Sequence, residues 1–379
     1  MKVSPNIARI CRVVWNRRKD ILSRPFWSMA GRILRERFNV WQSVDEQVFL
    51  ENLRTIEVRP WNLHVELSNI CNANCIFCAY QFQTRDKVIM ADEIYRKALD
   101  DYCDIGGGDF MLTVTVGDPA VDPKLIQRIQ EARSRPEIAS IETITNAVAL
   151  QSGDIEALIH SGISRIQIST GPWDEDLYEK IYRNKSYKRV IRNVRLLLEK
   201  NLEAGCPVEI CIAFRSNLSM RETLALSDYK AIAHLPHRTE FNADFDTWSG
   251  EIKAGDLLPG MPLRSLSQLE REPCYWFYDG PIVFVDGSVG LCGCRDFNAD
   301  SELVVGGIAD RSLLEIWQSQ EVKELRRRFT EGRFPAICRK CSTYSNLDMY
   351  RRKPGVERAN LIRSRFESRP VARDCRPAK

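Results

Sequence analysis

The stretch Asn69-Ile70-Cys71-Asn72-Ala73-Asn74-Cys75-Ile76-Phe77-Cys78 decides how the rest of the chain is understood. Its spacing, C-x3-C-x2-C, brings three thiols out of one tight loop. That is one fewer than the four thiolates that hold a [4Fe–4S] cube. Such a set leaves one iron open, and a small molecule can chelate it while the cluster passes an electron. A structural zinc site is the competing chemistry, but zinc of that kind is closed by four ligands. The nearby histidine, His64, precedes the loop on a strand-like segment.

Outward from the loop, the chain alternates strand and helix. Strand patterns run over 61–67, 110–116, 138–145, 165–169, 208–214 and 240–245. Helical patterns fall between them, at 91–103, 123–133, 153–161, 174–200 and 221–233. Strands separated by helices of this length predict a parallel sheet with right-handed crossovers. The periodicity allows either a six-unit partial barrel or an open doubly wound sheet. Both place their chemistry at the carboxyl ends of the strands. Those ends carry the thiol loop, then Thr115-Val116-Gly117-Asp118-Pro119, Thr145-Asn146-Ala147, Ser169-Thr170-Gly171 and Arg215-Ser216-Asn217. Taken singly, each is an ordinary turn or cap. The run Gly106-Gly107-Gly108 lacks the Gly-Lys-Ser/Thr of a phosphate loop and precedes a strand, so it is expected to be a turn.

The thiol loop and the strand ends in register with it resemble the radical S-adenosylmethionine enzymes. The resemblance implies an α/β fold, a partial (β/α)6 barrel, and reductive cleavage of the sulfonium to a 5′-deoxyadenosyl radical that abstracts a substrate hydrogen. It implies a cluster on Cys71, Cys75 and Cys78. It also implies cosubstrate contacts from Gly117 and Asp118 to the methionine amino group, from Ser169 to the ribose or carboxylate, and from Arg215 to the carboxylate, bidentately. Asn146 stands in the position of the family's Thr-Asn-Gly, and Phe77 in that of a residue near the adenine. Three departures stand out: Val116 for the first glycine of Gly-Gly-Glu-Pro, Asp118 for its glutamate, and Ala147 for the glycine after Asn146.

A second cysteine set, Cys274, Cys292, Cys338 and Cys341, follows the barrel. Between its members lie an alternating hairpin over 281–291 with an Asp286-Gly287 turn and a helical stretch over 312–329. The arrangement resembles the auxiliary-cluster extensions called SPASM domains, in their shortened twitch form. This implies one auxiliary [4Fe–4S] cluster with no open iron, suited to electron transfer. Cys294 is the second choice to Cys292, and four-cysteine zinc is the alternative. The expected organisation is a basic helical extension at 1–55, a core barrel at 56–260, a SPASM/twitch domain at 261–350 and a basic tail at 351–379.

The 379 residues carry 13 cysteines and a net charge of +4. The cysteines do not form the even framework of a small secreted domain. No apolar run approaches the roughly 20 residues of a membrane span, and the first residues lack a signal-peptide core. A reducing cytoplasm is the expected location. Ten Lys/Arg face two acids over residues 1–40 and ten face three over 351–379, which leaves an acidic body between basic ends. Such ends either reach an anionic partner or form solvated tails.

The expected activity is oxidation of a substrate radical through the auxiliary cluster, with a reductant such as flavodoxin or ferredoxin as electron donor. Similarity to twitch-bearing sugar-alcohol dehydrogenases implies a sugar-like substrate, with Asp244 or Asp246 as base for the hydroxyl proton. Tyr80 and Arg85 are further candidates for substrate contact. The competing class is a peptide-modifying maturase that crosslinks or epimerises residues. A cluster scaffold or nucleic-acid-binding protein is the non-enzymatic alternative.

Overall fold

The computed structural model describes residues 56–345, apart from 113–114, 243, 267–272 and 293–294. The basic ends, Cys11, Cys294 and Cys375 lie outside the described residues. Six parallel strands form the frame: β1 (Asn62–Val65), β2 (Gly108–Met111), β3 (Ile138–Thr145), β4 (Arg165–Thr170), β5 (Glu209–Phe214) and β6 (Arg238–Phe241). They pair in sequential order, β1 with β2 through to β5 with β6. A doubly wound sheet reverses its strand order part-way. Among these six the order never reverses, so the fold is the partial barrel.

The longer crossover helices each bury an apolar stripe. In α1 (Asp92–Asp104) that stripe is Tyr95, Ala98, Leu99 and Tyr102, at helical spacing. The others are α2 (Leu125–Arg133), α3 (Ser152–His160), α4 (Glu175–Tyr182), α5 (Tyr187–Glu203) and the short pair α6 (Met220–Ala225) and α7 (Ser227–Lys230). The single helical stretch expected over 174–200 is two helices. Arg183 takes a left-handed conformation, φ 48°, and ends α4. Leu226, extended at φ −64° and ψ 143°, likewise splits the helix expected at 221–233.

The C-terminal segment continues the same sheet. After α8 (Tyr275–Asp279), β7 (Ile282–Val283) pairs parallel with β1, His64 opposite Ile282. The antiparallel strands β8 (Ser288–Gly290) and β9 (Val304–Gly307) extend it to nine strands, with order β6-β5-β4-β3-β2-β1-β7-β8-β9. The boundary expected at 260/261 is therefore crossed by backbone hydrogen bonds, among them His64 N to Pro281 O at 3.0 Å and Glu66 N to Val283 O at 2.9 Å. A buried knot reinforces the joint. Asp279 accepts from Asn62 Nδ2 at 2.9 Å and Tyr275 Oη at 2.5 Å, and lies 3.3 Å from His64 Nε2. Three helices complete the segment: α9 (Leu313–Trp317), α10 (Gln320–Thr330) and α11 (Ala336–Arg339). Among the described residues no helix is long and apolar enough to cross a membrane.

Candidate functional site

The thiol loop leaves β1 and is held on both sides. Cys78 N donates to Cys75 O at 3.1 Å, and Cys78 Sγ caps the next turn by accepting from Tyr80 N at 3.4 Å. Asn74 N and Ile76 N donate to Tyr182 O and Ile181 O at 3.2 and 2.9 Å, sewing the loop to the end of α4. Burial pushes the Cys71 thiol up to about 12, helped by Asp118, and raises Cys75 well above its usual value. Cys78 is pushed to about 11 by burial, against the opposing Tyr80 N–H and the Arg295 cation. Such thiols stay protonated until a metal takes the proton's place.

Gly117 and Asp118 brace this loop from the end of β2. Gly117 has φ +100°, and a Cβ there would lie 2.3 Å from Ser68 O. Asp118 N donates to Ile70 O at 2.9 Å. Its carboxylate, fully buried, accepts from Ala120 N at 2.9 Å, Thr145 Oγ1 at 2.8 and 3.1 Å, and Asn146 N at 2.7 Å. Burial lifts its pKa to about 6 despite those donors. These contacts occupy both oxygens, so the acid clamps the ends of β2 and β3 together within the described protein. Asn146 then reaches the thiol loop, its Nδ2 2.8 Å from Asn72 Oδ1 and 3.6 Å from Cys71 Sγ. Ala147, in the glycine position of the resemblance, has φ 63°, a bend that favours glycine. Asn193 of α5 secures it by donating to Ala147 O and Leu150 O at 2.9 and 2.7 Å.

Ser169 and Arg215 stand on the neighbouring strand ends. Arg215 is partly buried and bonded through Nη1 to Asn242 Oδ1. Among the described residues no carboxylate comes within ion-pair distance of it, and burial lowers its pKa. Phe77 packs between Tyr182 and Phe245, with ring centroids 5.5 and 5.6 Å away. Thr115 Oγ1, Thr170 Oγ1 and Tyr178 Oη are buried without a hydrogen-bond partner among the described residues, and a polar ligand would relieve that cost. Three thiols, an uncompensated guanidinium and orphaned hydroxyls fit a cluster together with a charged nucleoside.

The second cysteine set also converges. Burial drives the Cys338 thiol far up, and Cys292, Cys274 and Cys341 all press it in the same direction. Cys274 is raised to about 11, by burial first and Cys341 after it. Cys341 Sγ lies 3.3 Å from Thr343 Oγ1. Among the described residues no three of His, Cys, Asp or Glu gather tightly enough for a single metal ion.

The two candidate bases are both ion-paired. Asp244 meets Arg264 Nε at 2.8 Å, and Asp246 meets Arg295 Nε. Arg85 is committed elsewhere: its fork binds both oxygens of buried Glu66 at 2.7 Å, and its Nε donates to Phe297 O at 3.0 Å. The Tyr80 ring carries Lys87 Nζ 4.8 Å above it. Residues that sequence reasoning missed stand between the two thiol sets. The guanidinium of Arg295 lies 4.4 Å over the ring of Trp248, whose Nε1 donates to Phe77 O at 2.8 Å. Burial lowers the pKa of Arg295 to about 10, which leaves it a cation at neutral pH. Its place just after Cys292 was the one available signal.

Comparison with known proteins finds two domains in this chain. Residues 65–226 match the Radical SAM superfamily, and residues 274–342 match SPASM, an iron–sulfur cluster-binding domain. GTP 3′,8-cyclase of Petrotoga mobilis is 29% identical over 154 residues, 39% of this chain and 45% of that protein. The Clostridium perfringens enzyme of the same name is 30% identical over 146 residues, 37% of this chain and 44% of that protein. The chain thus matches less than half the length of these relatives. BtrN, crystallised with AdoMet and 2-DOIA, aligns over 76% of this chain and 95% of its own, with TM-score 0.51 and 16% identity. Native anSMEcpe with bound AdoMet aligns over 82% of this chain and 100% of its own, with TM-score 0.50 and 15% identity. At these identities the likeness carries the fold alone. [4Fe–4S] clusters and S-adenosylmethionine are the cofactors that the two domains require. The chain belongs to the radical S-adenosylmethionine enzymes and carries a C-terminal SPASM iron–sulfur domain.

Proposed function

We propose that the enzyme dehydrogenates a sugar-like alcohol with two clusters, one on Cys71, Cys75 and Cys78 and one on Cys274, Cys292, Cys338 and Cys341. The observation that supports this reading is that all four cysteines of the second set fall within the segment 274–342 that matches the SPASM iron–sulfur cluster-binding domain, beside a Radical SAM match that contains the first three. When bound, the barrel cluster and S-adenosylmethionine supply one-electron cleavage of the sulfonium and hydrogen abstraction from a substrate C–H bond. The chain's own residues do the rest. Arg215, with no acidic partner among the described residues, holds the methionine carboxylate. Asp118 keeps the strand ends and the thiol loop in register. Asp244, ion-paired to Arg264 Nε at 2.8 Å, takes the hydroxyl proton as the substrate is oxidised. Cys274, Cys292, Cys338 and Cys341 would hold the second cluster, which would supply an acceptor for the remaining electron. The substrate class follows from the cysteine spacing shared with twitch-bearing dehydrogenases.

The test begins with metal content. Anaerobically reconstituted protein is expected to hold about eight irons, as two cubes. With S-adenosylmethionine, a low-potential reductant and a panel of cyclitols and amino sugars, it is expected to release 5′-deoxyadenosine together with a ketone product. The Cys338→Ala, Cys341→Ala double variant should still cleave S-adenosylmethionine but form no ketone. Ketone formation unchanged in that variant refutes the role of the second set. Turnover of peptides alone would assign the chain to the maturases.

A further inference from the structure

We infer that Arg295 is a positioning residue that couples the two thiol sets electrostatically, held between Cys78 and Cys341 by Asp246 and Trp248 and favouring the reduced state of both clusters. This rests on the two-cluster reading above. One short segment, 246–249, touches both loops. Trp248 Nε1 binds Phe77 O, next to Cys78, at 2.8 Å. On the other side Ser342, next to Cys341, donates to Asp246 Oδ1 and accepts from Thr247 N at 2.9 Å. Ser249 Oγ donates to Ile337 O, next to Cys338, at 3.2 Å. The guanidinium sits on this segment, ion-paired to Asp246 and 4.4 Å above the Trp248 ring, with its side chain only 15% exposed. The Cys341 and Cys78 thiols both act on this guanidinium, against the larger effect of its burial.

Two consequences follow from elementary electrostatics. Reduction adds one negative charge to a cluster, and a fixed buried cation nearby stabilises the product of that step. Cluster potentials respond to local charge and hydrogen bonding in this way. Asp246 has the opposite effect, since its carboxylate partly cancels the cation. The pair therefore sets the poise of both clusters with one residue of each sign.

Opposite signs make the inference testable by measurements other than turnover. Reconstituted wild type, Arg295→Met, Arg295→Lys and Asp246→Asn would each have iron and sulfide counted, then be titrated anaerobically with dithionite while cluster signals are followed by electron paramagnetic resonance. Both midpoints are expected to fall in Arg295→Met by about tenfold in the reduction equilibrium, roughly 59 mV for a one-electron couple. Both should rise in Asp246→Asn and stay near wild type in Arg295→Lys. A purely structural role would instead cost iron in all three variants without shifts of opposite sign. Unchanged midpoints, or shifts of one sign in Arg295→Met and Asp246→Asn, overturn the inference. If Arg295→Met does not load, the Asp246→Asn midpoint decides, and a fall or no shift overturns it. A single cluster in the wild type refutes the two-cluster reading, and the inference with it, and shows already in the iron count.

Discussion

Replacing Gly117 with alanine is a direct test of how the thiol loop is braced. The residue has φ +100°, and an added Cβ would meet Ser68 O at 2.3 Å, Asn69 Cα at 3.0 Å and Asn69 C at 3.2 Å. All three atoms are backbone, and that backbone is pinned. Ser68 bridges to Ile89, and the Asn69 side chain binds Asp86 O at 2.7 Å and Val88 N at 2.8 Å. The left-handed conformation costs an L-residue about 1–2 kcal/mol. Forcing a methyl into a packed contact adds about 1–3 kcal/mol. The total, about 2–5 kcal/mol, is a large part of the 5–15 kcal/mol typical of a folded protein. Gly205 is the control, with φ +78° and nothing within 4 Å of an added Cβ. Alanine there should cost only the conformational share, about 1–2 kcal/mol. Urea unfolding under argon, followed by circular dichroism, measures both. Iron per chain should fall in Gly117→Ala alone, because Ser68 and Asn69 lead directly into Cys71. Equal losses at the two positions would refute the claim that the backbone contact braces the loop.

Three further outcomes are expected. Asp118→Asn puts an N–H donor against one of the amide or hydroxyl donors the acid now accepts, so unfolding should cost about 1–3 kcal/mol less; a loss of S-adenosylmethionine affinity with stability intact would instead mean that the acid grips the cosubstrate. Arg215→Ala removes a charged partner of the methionine carboxylate and should weaken S-adenosylmethionine binding about ten- to a hundredfold by calorimetry, with iron content unchanged; wild-type affinity would put the carboxylate elsewhere. Asp279→Ala leaves Asn62 and Tyr275 without their buried acceptor and should destabilise the chain by about 1–3 kcal/mol in the same urea assay; a change under 0.5 kcal/mol, the usual range for surface sites, would show that the β1–α8 knot does not hold the C-terminal segment to the barrel.

The sequence by itself determined the parts whose information is local. C-x3-C-x2-C is a property of eight consecutive residues, and the β3 range 138–145 matched its element residue for residue because alternation is read within one strand. The strand-then-helix rhythm determined the parallel class, and the paired cysteine spacing pointed to the auxiliary domain. Local pattern failed where an element ended without changing its periodicity. Apolar spacing runs on through Arg183 and Leu226, yet the backbone turns at both. The edge strand β6, Arg238–Phe241, began earlier than expected because Arg238 and Glu240 face outward and break the apolar signal.

Only the tertiary structure decided between a sequential barrel and a doubly wound sheet, since strand order is a relation between elements that no window of sequence contains. It alone joined the second cysteine segment to β1, across more than 200 residues of chain. It brought Asp118 against the end of β3, where Asn146 N donates to it, and Arg85 against Glu66. It also set Arg295 against Asp246 and Trp248, between the two thiol sets. Thiol spacing survives in the sequence because neighbouring residues share a loop. A buried charge finds its counter-charge through the fold, where desolvation makes pairing obligatory, and chain distance carries no trace of that requirement.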